Sequence, residues 1–264
     1  MLELYYASES LCSQKVKLVL AEKNLEWKHH PLNLLTFENL QPDYIRLNPK
    51  GVVPTLIHKS QIITDSAIII QYLDEQFPPQ LTPAEPASVE QMHDWIDLQN
   101  QFPMLEVMYG NFRGIEGAIL RRSVQIKARM LPHLMQSHPE LREQYAKKLK
   151  VVEQLNFTIR DVREMKSINA KIEPLLDQLE AQLSETTWLC GTTYSLADTV
   201  WTAVLNRLNE LGFGHFWQND VRSAIASYFN RLKARPSFKT AIQDDKMPLP
   251  MLLSGLSKIL LYVR

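Results

Sequence analysis

The chemistry-bearing residues of this chain begin at Ser8-Glu9-Ser10-Leu11-Cys12-Ser13, a run of hydroxyls and one thiol between a strand-like segment and a helical one. Unpaired N–H groups and the macrodipole at a helix start stabilise negative charge, and a thiol held there can ionise below its free pKa of about 8.5. A Cys12 thiolate could therefore form near neutral pH. The plainer alternative is that Ser10 or Ser13 caps the helix and Cys12 packs as a small hydrophobe. A second signal is Gly51-Val52-Val53-Pro54-Thr55-Leu56, where a proline opens a strand and leaves neighbouring backbone groups unpaired. A cis Val53-Pro54 bond would present the Val53 N–H and C=O to an extended ligand, and an ordinary trans edge proline is the alternative. A third is Thr64-Asp65-Ser66 before an apolar run, a helix start able to hold a carboxylate or simply to cap itself.

The elements that must position these groups follow from spacing. Leu2 to Tyr6 reads as a strand, and Ser13 to Lys23 as a helix covered on more than one side, because Leu18 and Ala21 widen the Val16, Val19, Leu20 stripe. An extended piece at Trp27 to Pro31, a helix from Thr36 to Leu47 and a breaker at Asn48 to Gly51 come next. Strands Val53 to Ile57 and Gln61 to Ile63 join through His58-Lys59-Ser60, and Asp65 to Phe77 is helical again. The order βαβαββα brings the three signals to one edge of a thioredoxin-like sheet. Pro78-Pro79 and the Pro-containing stretch to Ala87 form a linker, so residues 1–77 and 88–243 are expected as separate domains. The second reads as all helical, with breaks near Pro103, Gly110 to Gly117, Pro139 and Gly191.

Composition removes other classes. Lys+Arg 29 balances Asp+Glu 29, which withdraws the electrostatic attraction that nucleic-acid binders use. Only 8 glycines occur, in no phosphate-binding or dinucleotide spacing. Cys12 and Cys190 are too few for a disulfide framework, a reducing cytoplasm fits best, and no secretory leader is visible. His29-His30 and His133 with His138 lack the spacing of a metal site, so no metal is expected. Cys190 reads as buried and unreactive. Arg142 to Lys166, with seven basic and four acidic residues, reads as a solvated helix face rather than an anion-binding patch. The apolar stretch Met251 to Val263, within a 244–264 tail, is too short and polar for a membrane span. Three places are open to it: over the cleft, against a partner subunit, or in a membrane interface with Arg264.

The chain resembles the soluble glutathione transferases from Met1 to about Gln243. Ser10-Leu11-Cys12-Ser13 followed by Lys15-Val16-Lys17 is similar to the zeta-class motif. Gln41-Pro42-Asp43-Tyr44-Ile45-Arg46-Leu47-Asn48, Val52-Val53-Pro54-Thr55-Leu56, Tyr109-Gly110, His138-Pro139-Glu140-Leu141-Arg142 and Tyr194-Ser195-Leu196-Ala197-Asp198 resemble transferases of the bacterial tetrachlorohydroquinone dehalogenase type. The resemblance implies glutathione as co-substrate: Val53 at its cysteinyl backbone, Asp65 and Ser66 at its γ-glutamyl end, Ser10 and Cys12 at its sulfur as the catalytic residues, and Pro54 and Lys50 among the residues that bind it. It implies a small electrophile in a pocket shared with the helical domain, with Tyr109 and Arg113 as candidate lining, and a homodimer. Ser195 and Asp198 match the family's capping box and are expected to be structural. Val52 stands where many members carry Gln, and Asp65 where many carry Glu or Gln, so weaker glutathione binding is expected. Two other activities belong to the same fold: thiol–disulfide exchange led by Cys12, and non-catalytic or membrane-associated binding.

Overall fold

The computed structural model describes residues 1–218 and 221–262. Strand β1 (Leu2–Tyr6) turns Leu2, Leu4 and Tyr6 inward and the residues between them outward, the period of a half-buried strand. It lies parallel to β2 (Trp27–Pro31) and antiparallel to β3 (Thr55–His58), which pairs with β4 (Gln61–Thr64), giving the order β2-β1-β3-β4. Lys59 and Ser60 both adopt positive φ, 49° and 67°, forming the two-residue hairpin turn between β3 and β4. With α1 (Leu11–Glu22), α2 (Pro42–Leu47) and α3 (Ser66–Gln76), this is the βαβαββα thioredoxin-like domain.

Local boundaries differ from the sequence expectation where side chains intervene. Helix α1 begins at Leu11, two residues early, because Ser10 is its N-cap. The expected Thr36 to Leu47 helix is a 3₁₀ turn at Glu38–Leu40 followed by α2, since Pro42 starts a helix well but cannot sit inside one. Strand β3 starts at Thr55 because Pro54 cannot donate to the ladder.

The helical domain comprises α4 (Pro86–Gln101), α5 (Met104–Asn111), α6 (Gly114–Ser137), α7 (Arg142–Thr158), α8 (Val162–Asn169), α9 (Ile172–Glu185), α10 (Leu196–Glu210), α11 (Ser223–Lys233), α12 (Pro236–Phe238) and α13 (Leu249–Leu260). Helix α1 packs against α3 on one side and α10 on another, so its polar residues Gln14, Lys15 and Lys17 are buried along with its apolar stripe. The Arg142 to Lys166 stretch is broken at 159–161, and α7 turns Tyr145, Val152 and Leu155 onto α6, so only part of that stretch faces solvent. Asp74 fixes the linker: it accepts hydrogen bonds from the Leu81 and Thr82 N–H groups at 2.7 and 2.9 Å and pairs with buried Lys23 at 2.7 Å.

Asp198 anchors the core of the helical domain. Its carboxylate accepts from the N–H groups of Leu189 and Ser195 and from the hydroxyls of Ser195 and Tyr228, at 2.7–2.9 Å, which includes the expected capping box. The tail returns to the first domain. Asn33 donates to the Met251 carbonyl at 2.6 Å, Gly255 fits against Leu35, Arg122 donates to the Ile259 carbonyl at 2.7 Å, and Ile259 is fully buried. The tail residues Val263 and Arg264 lie outside the described residues, and among those described no helix is long and apolar enough to cross a membrane.

Candidate functional site

Strand β1 delivers the Ala7 to Ser10 loop to the start of α1. The loop is fixed by three hydrogen bonds: Ala7 N–H to Ser13 Oγ at 3.3 Å, Ser13 N–H to Ser10 Oγ at 3.3 Å, and Gln14 Nε2 to the Ser8 carbonyl at 3.2 Å. Ser10 uses its oxygen as the acceptor that caps α1, which leaves its hydroxyl proton free to donate outward. Cys12 is the second residue of that helix and partly exposed.

Sheet register brings the other expected residues to the same edge. Tyr5 lies opposite Thr55 and Thr55 opposite Thr64, so Val53-Pro54 and Asp65-Ser66 flank the end of β1. The Val53-Pro54 bond is cis, and the Val53 side chain packs with Ala7 and Tyr44. Among the described residues the Val53 N–H and C=O have no protein partner, whereas the preceding carbonyl of Val52 accepts from Tyr44 and Asn48 at 2.7 and 2.8 Å. Asp65 sits at φ 80°, caps α3 by accepting from the Ala67 N–H at 3.1 Å, and has Lys50 Nζ 3.6 Å from its carboxylate. Ser66, buried, opens α3. Such a left-handed non-glycine conformation persists only where surrounding structure over-determines it.

Several polar groups at this edge were given no role by the sequence reading, because their partners lie far away in the chain. Lys15 lies one turn beyond Cys12 and donates to Gln99 of α4. Burial pushes its ammonium down, against the pull of Cys12 and Asp65, whose charges both favour the cation. Arg207 of α10 donates to the Glu9 carbonyl at 2.7 Å, tying the helical domain to the residue before Ser10. Burial raises the Glu9 carboxyl, and Lys17 close by pairs with Asp245.

Tyr109 of α5, partly buried, packs against the cluster of Phe37, Leu40, Val124 and Tyr145, with Lys127 Nζ 5.9 Å from its ring centroid. Arg113 is exposed ahead of α6, beside Gly110, Asn111, Phe112 and Arg121, and the structure gives it no contact with the Ser10 loop. Cys190 is buried and its thiol is pushed up to about 11, chiefly by burial. His29 meets the Tyr6 hydroxyl at 3.4 Å and His30 the Glu3 carboxylate at 2.8 Å, and no cluster of three or more metal-binding side chains occurs among the described residues.

A thioredoxin-like domain with a polar helix start, joined to an all-helical domain, defines a glutathione S-transferase fold, and the chain belongs to that family. The family's N-terminal domain matches residues 4–83 and its C-terminal domain residues 136–231. Tetrachloro-p-hydroquinone reductive dehalogenase of Sphingobium chlorophenolicum is 31% identical over 90% of this chain and 94% of its own length. Human ganglioside-induced differentiation-associated protein 1-like 1 is 30% identical over 92% of this chain and 74% of its own. Among solved structures, the β-etherase LigF of a Sphingobium strain superimposes with a TM-score of 0.74 at 26% identity, covering 92% of this chain and 99% of that one.

Proposed function

We propose that the protein is a glutathione-dependent transferase that holds glutathione as a thiolate for attack on a small electrophile. The observation carrying this reading is the convergence of Ser10, Cys12, the unpartnered Val53 backbone, Asp65, Ser66 and Lys50 on one sheet edge. Glutathione lies extended there, its cysteinyl backbone pairing with Val53, which stands before the cis Pro54 that leads into the strand, and its γ-glutamyl end on Asp65, Ser66 and Lys50. Ser10 donates to the thiolate, a preorganised stabilisation of charge that counts most away from water. The electrophile loses its leaving group as the carbon–sulfur bond forms. The similarity to two reductive dehalogenases supports a further step for Cys12. Its thiolate attacks the sulfur of a glutathione conjugate, carbon leaves with the electron pair and takes a proton, and the resulting Cys12–glutathione disulfide is reduced by a second glutathione.

The test is calorimetry with glutathione together with conjugation of 1-chloro-2,4-dinitrobenzene. Ser10→Ala is expected to lower kcat/KM by roughly 10²-fold, and Cys12→Ser to spare conjugation while abolishing reductive dehalogenation. No heat of glutathione binding, or full turnover in both variants, refutes the assignment. Partial exposure of Cys12 at a helix start favours one second reading, a thiol–disulfide oxidoreductase. Reduction of small disulfides that disappears in Cys12→Ser, without conjugation by the wild type, would select it. The reading carries a cytosolic homodimer with it, which sedimentation at equilibrium measures.

A further inference from the structure

We propose that α13 is a membrane-surface helix that lays a leucine stripe into the interface of an anionic phospholipid bilayer. The proposal is independent of the transferase reading, because no residue of the Ser10 edge takes part in it.

One side of α13 seats the helix on the body of the protein. Asn33 donates to the Met251 carbonyl at 2.6 Å and to Ser254 Oγ at 3.2 Å, and Arg122 donates to the Ile259 carbonyl at 2.7 Å. Gly255 lies so close to Leu35 that a Cβ there would meet it at 2.7 Å, and Ile259 is fully buried. At 3.6 residues per turn, Leu249, Leu252, Leu253, Leu256 and Leu260 fall within an arc of about 100°, roughly a quarter turn from Gly255 and Ile259. That arc faces water: Leu249, Leu253 and Leu260 are 65, 57 and 64% exposed, and Leu252 is 37% exposed. Ser254, Ser257 and Lys258 lie on the rest of the circumference. Soluble proteins rarely leave so continuous an apolar surface uncovered, and the docked side prevents α13 from turning this one inward.

Charge and area select the occupant. The chain as a whole has a formal net charge of +0, yet residues 246–264 carry Lys246, Lys258 and Arg264 and no acidic residue. Arg122, which holds the end of α13, and Arg129, two turns further along the same side of α6, are both exposed and have no ion-pair partner among the described residues. The carboxylates nearest the seat are engaged: Glu38 accepts from the Asn33 N–H at 2.8 Å, and Asp245 pairs with Lys17, although Asp244 before it is exposed. A leucine stripe in a basic setting suits an anionic lipid surface, where apolar side chains enter the acyl boundary and cations meet the headgroups. A second copy suits it less. The stripe is about 18 Å long and about 10 Å wide, well short of the roughly 800 Å² per partner of a stable protein interface, whereas a fluid bilayer needs no complementary shape. Twelve residues of helix lie along such a surface and do not cross it.

The test is co-sedimentation of the full chain with vesicles of phosphatidylcholine alone and of one part phosphatidylglycerol to two parts phosphatidylcholine, at low and high salt. The wild type should bind the anionic vesicles more tightly than the neutral ones, and salt should narrow the difference. The double variant Leu253→Ser with Leu260→Ser should weaken that binding by at least about tenfold, the loss expected when two leucines no longer carry apolar surface into lipid. Leu253→Met with Leu260→Met should retain most of it. Lys258→Glu should weaken binding to the anionic vesicles by at least about fivefold and leave the neutral ones unchanged. Because these side chains are exposed, thermal stability should stay as in the wild type in every variant, which separates lost binding from lost folding. Failure of the wild type to bind anionic vesicles, or equal binding by the wild type and the serine variant, overturns the proposal. Equal affinity for the two vesicles overturns the choice of an anionic surface. A dimer at sedimentation equilibrium that the serine variant dissociates, without vesicle binding by the wild type, overturns the proposal and assigns the stripe to a second copy of the chain.

Discussion

Replacing Lys148 by methionine should make the protein more stable at neutral pH. The ammonium is pushed from 10.5 to about 8 by burial and by Lys127. At about 1.4 kcal/mol per pH unit, keeping it protonated at pH 7 costs up to about 3 kcal/mol. The unfolded chain holds this proton more tightly than the folded one, so stability rises as pH climbs from about 8 towards 10.5, and below 8 the penalty is present in full. Methionine keeps the length of the stem and discards the charge. Since Lys148 retains some solvent, the net gain expected at pH 7 is about 1–2 kcal/mol. Urea unfolding of both proteins at pH 7 and pH 10 measures it: the variant should lead at pH 7, and the gap should close at pH 10. A gap that is independent of pH, or a variant less stable at pH 7, would refute the electrostatic account of this lysine pair.

Asp198→Ala strips the acceptor from four buried donors and should cost at least about 4 kcal/mol, read as loss of soluble protein or a collapsed thermal transition; a loss below about 1 kcal/mol would deny that the capping box anchors the domain. Arg207→Met releases the Glu9 carbonyl and should lower kcat about tenfold while glutathione affinity holds, with Arg207→Lys restoring part of the loss. Equal effects on kcat and on glutathione affinity would place Arg207 in binding instead. Iodoacetamide at pH 7.5 should label Cys12 and spare Cys190, whose buried thiol is pushed up to about 11; two equivalents of label without unfolding would contradict that burial.

Local rules were enough for the parts of the site built from neighbours in the chain. A strand, a run of small polar residues and an apolar helix fix the Ser10 cap, Pro54 fixes where β3 can start, and Ser195 with Asp198 spell out their own capping box. The βαβαββα order follows from the same signals, because periodicity and breakers act within about ten residues. Boundaries shifted only where one residue's chemistry took precedence over the apolar pattern, as Pro42 did in splitting the expected second helix.

What the sequence could not disclose is every group whose meaning depends on a distant partner. Lys15 counts as one more residue in a helix until α4 supplies Gln99 and the sheet edge brings Asp65 near it. Arg207 stands 198 positions from the carbonyl it holds. Lys148 belongs to a stretch that reads as a solvated face, and only the docking of α7 on α6 takes it out of water beside Lys127. The tail's contacts within the chain are made with Asn33, Leu35 and Arg122, none of them near it in sequence. Hydrophobic period and capping chemistry are properties of a segment and can be read from it. Burial and electrostatic environment are properties of the packed chain, so the charge state and partners of a side chain exist only once the fold has chosen its neighbours.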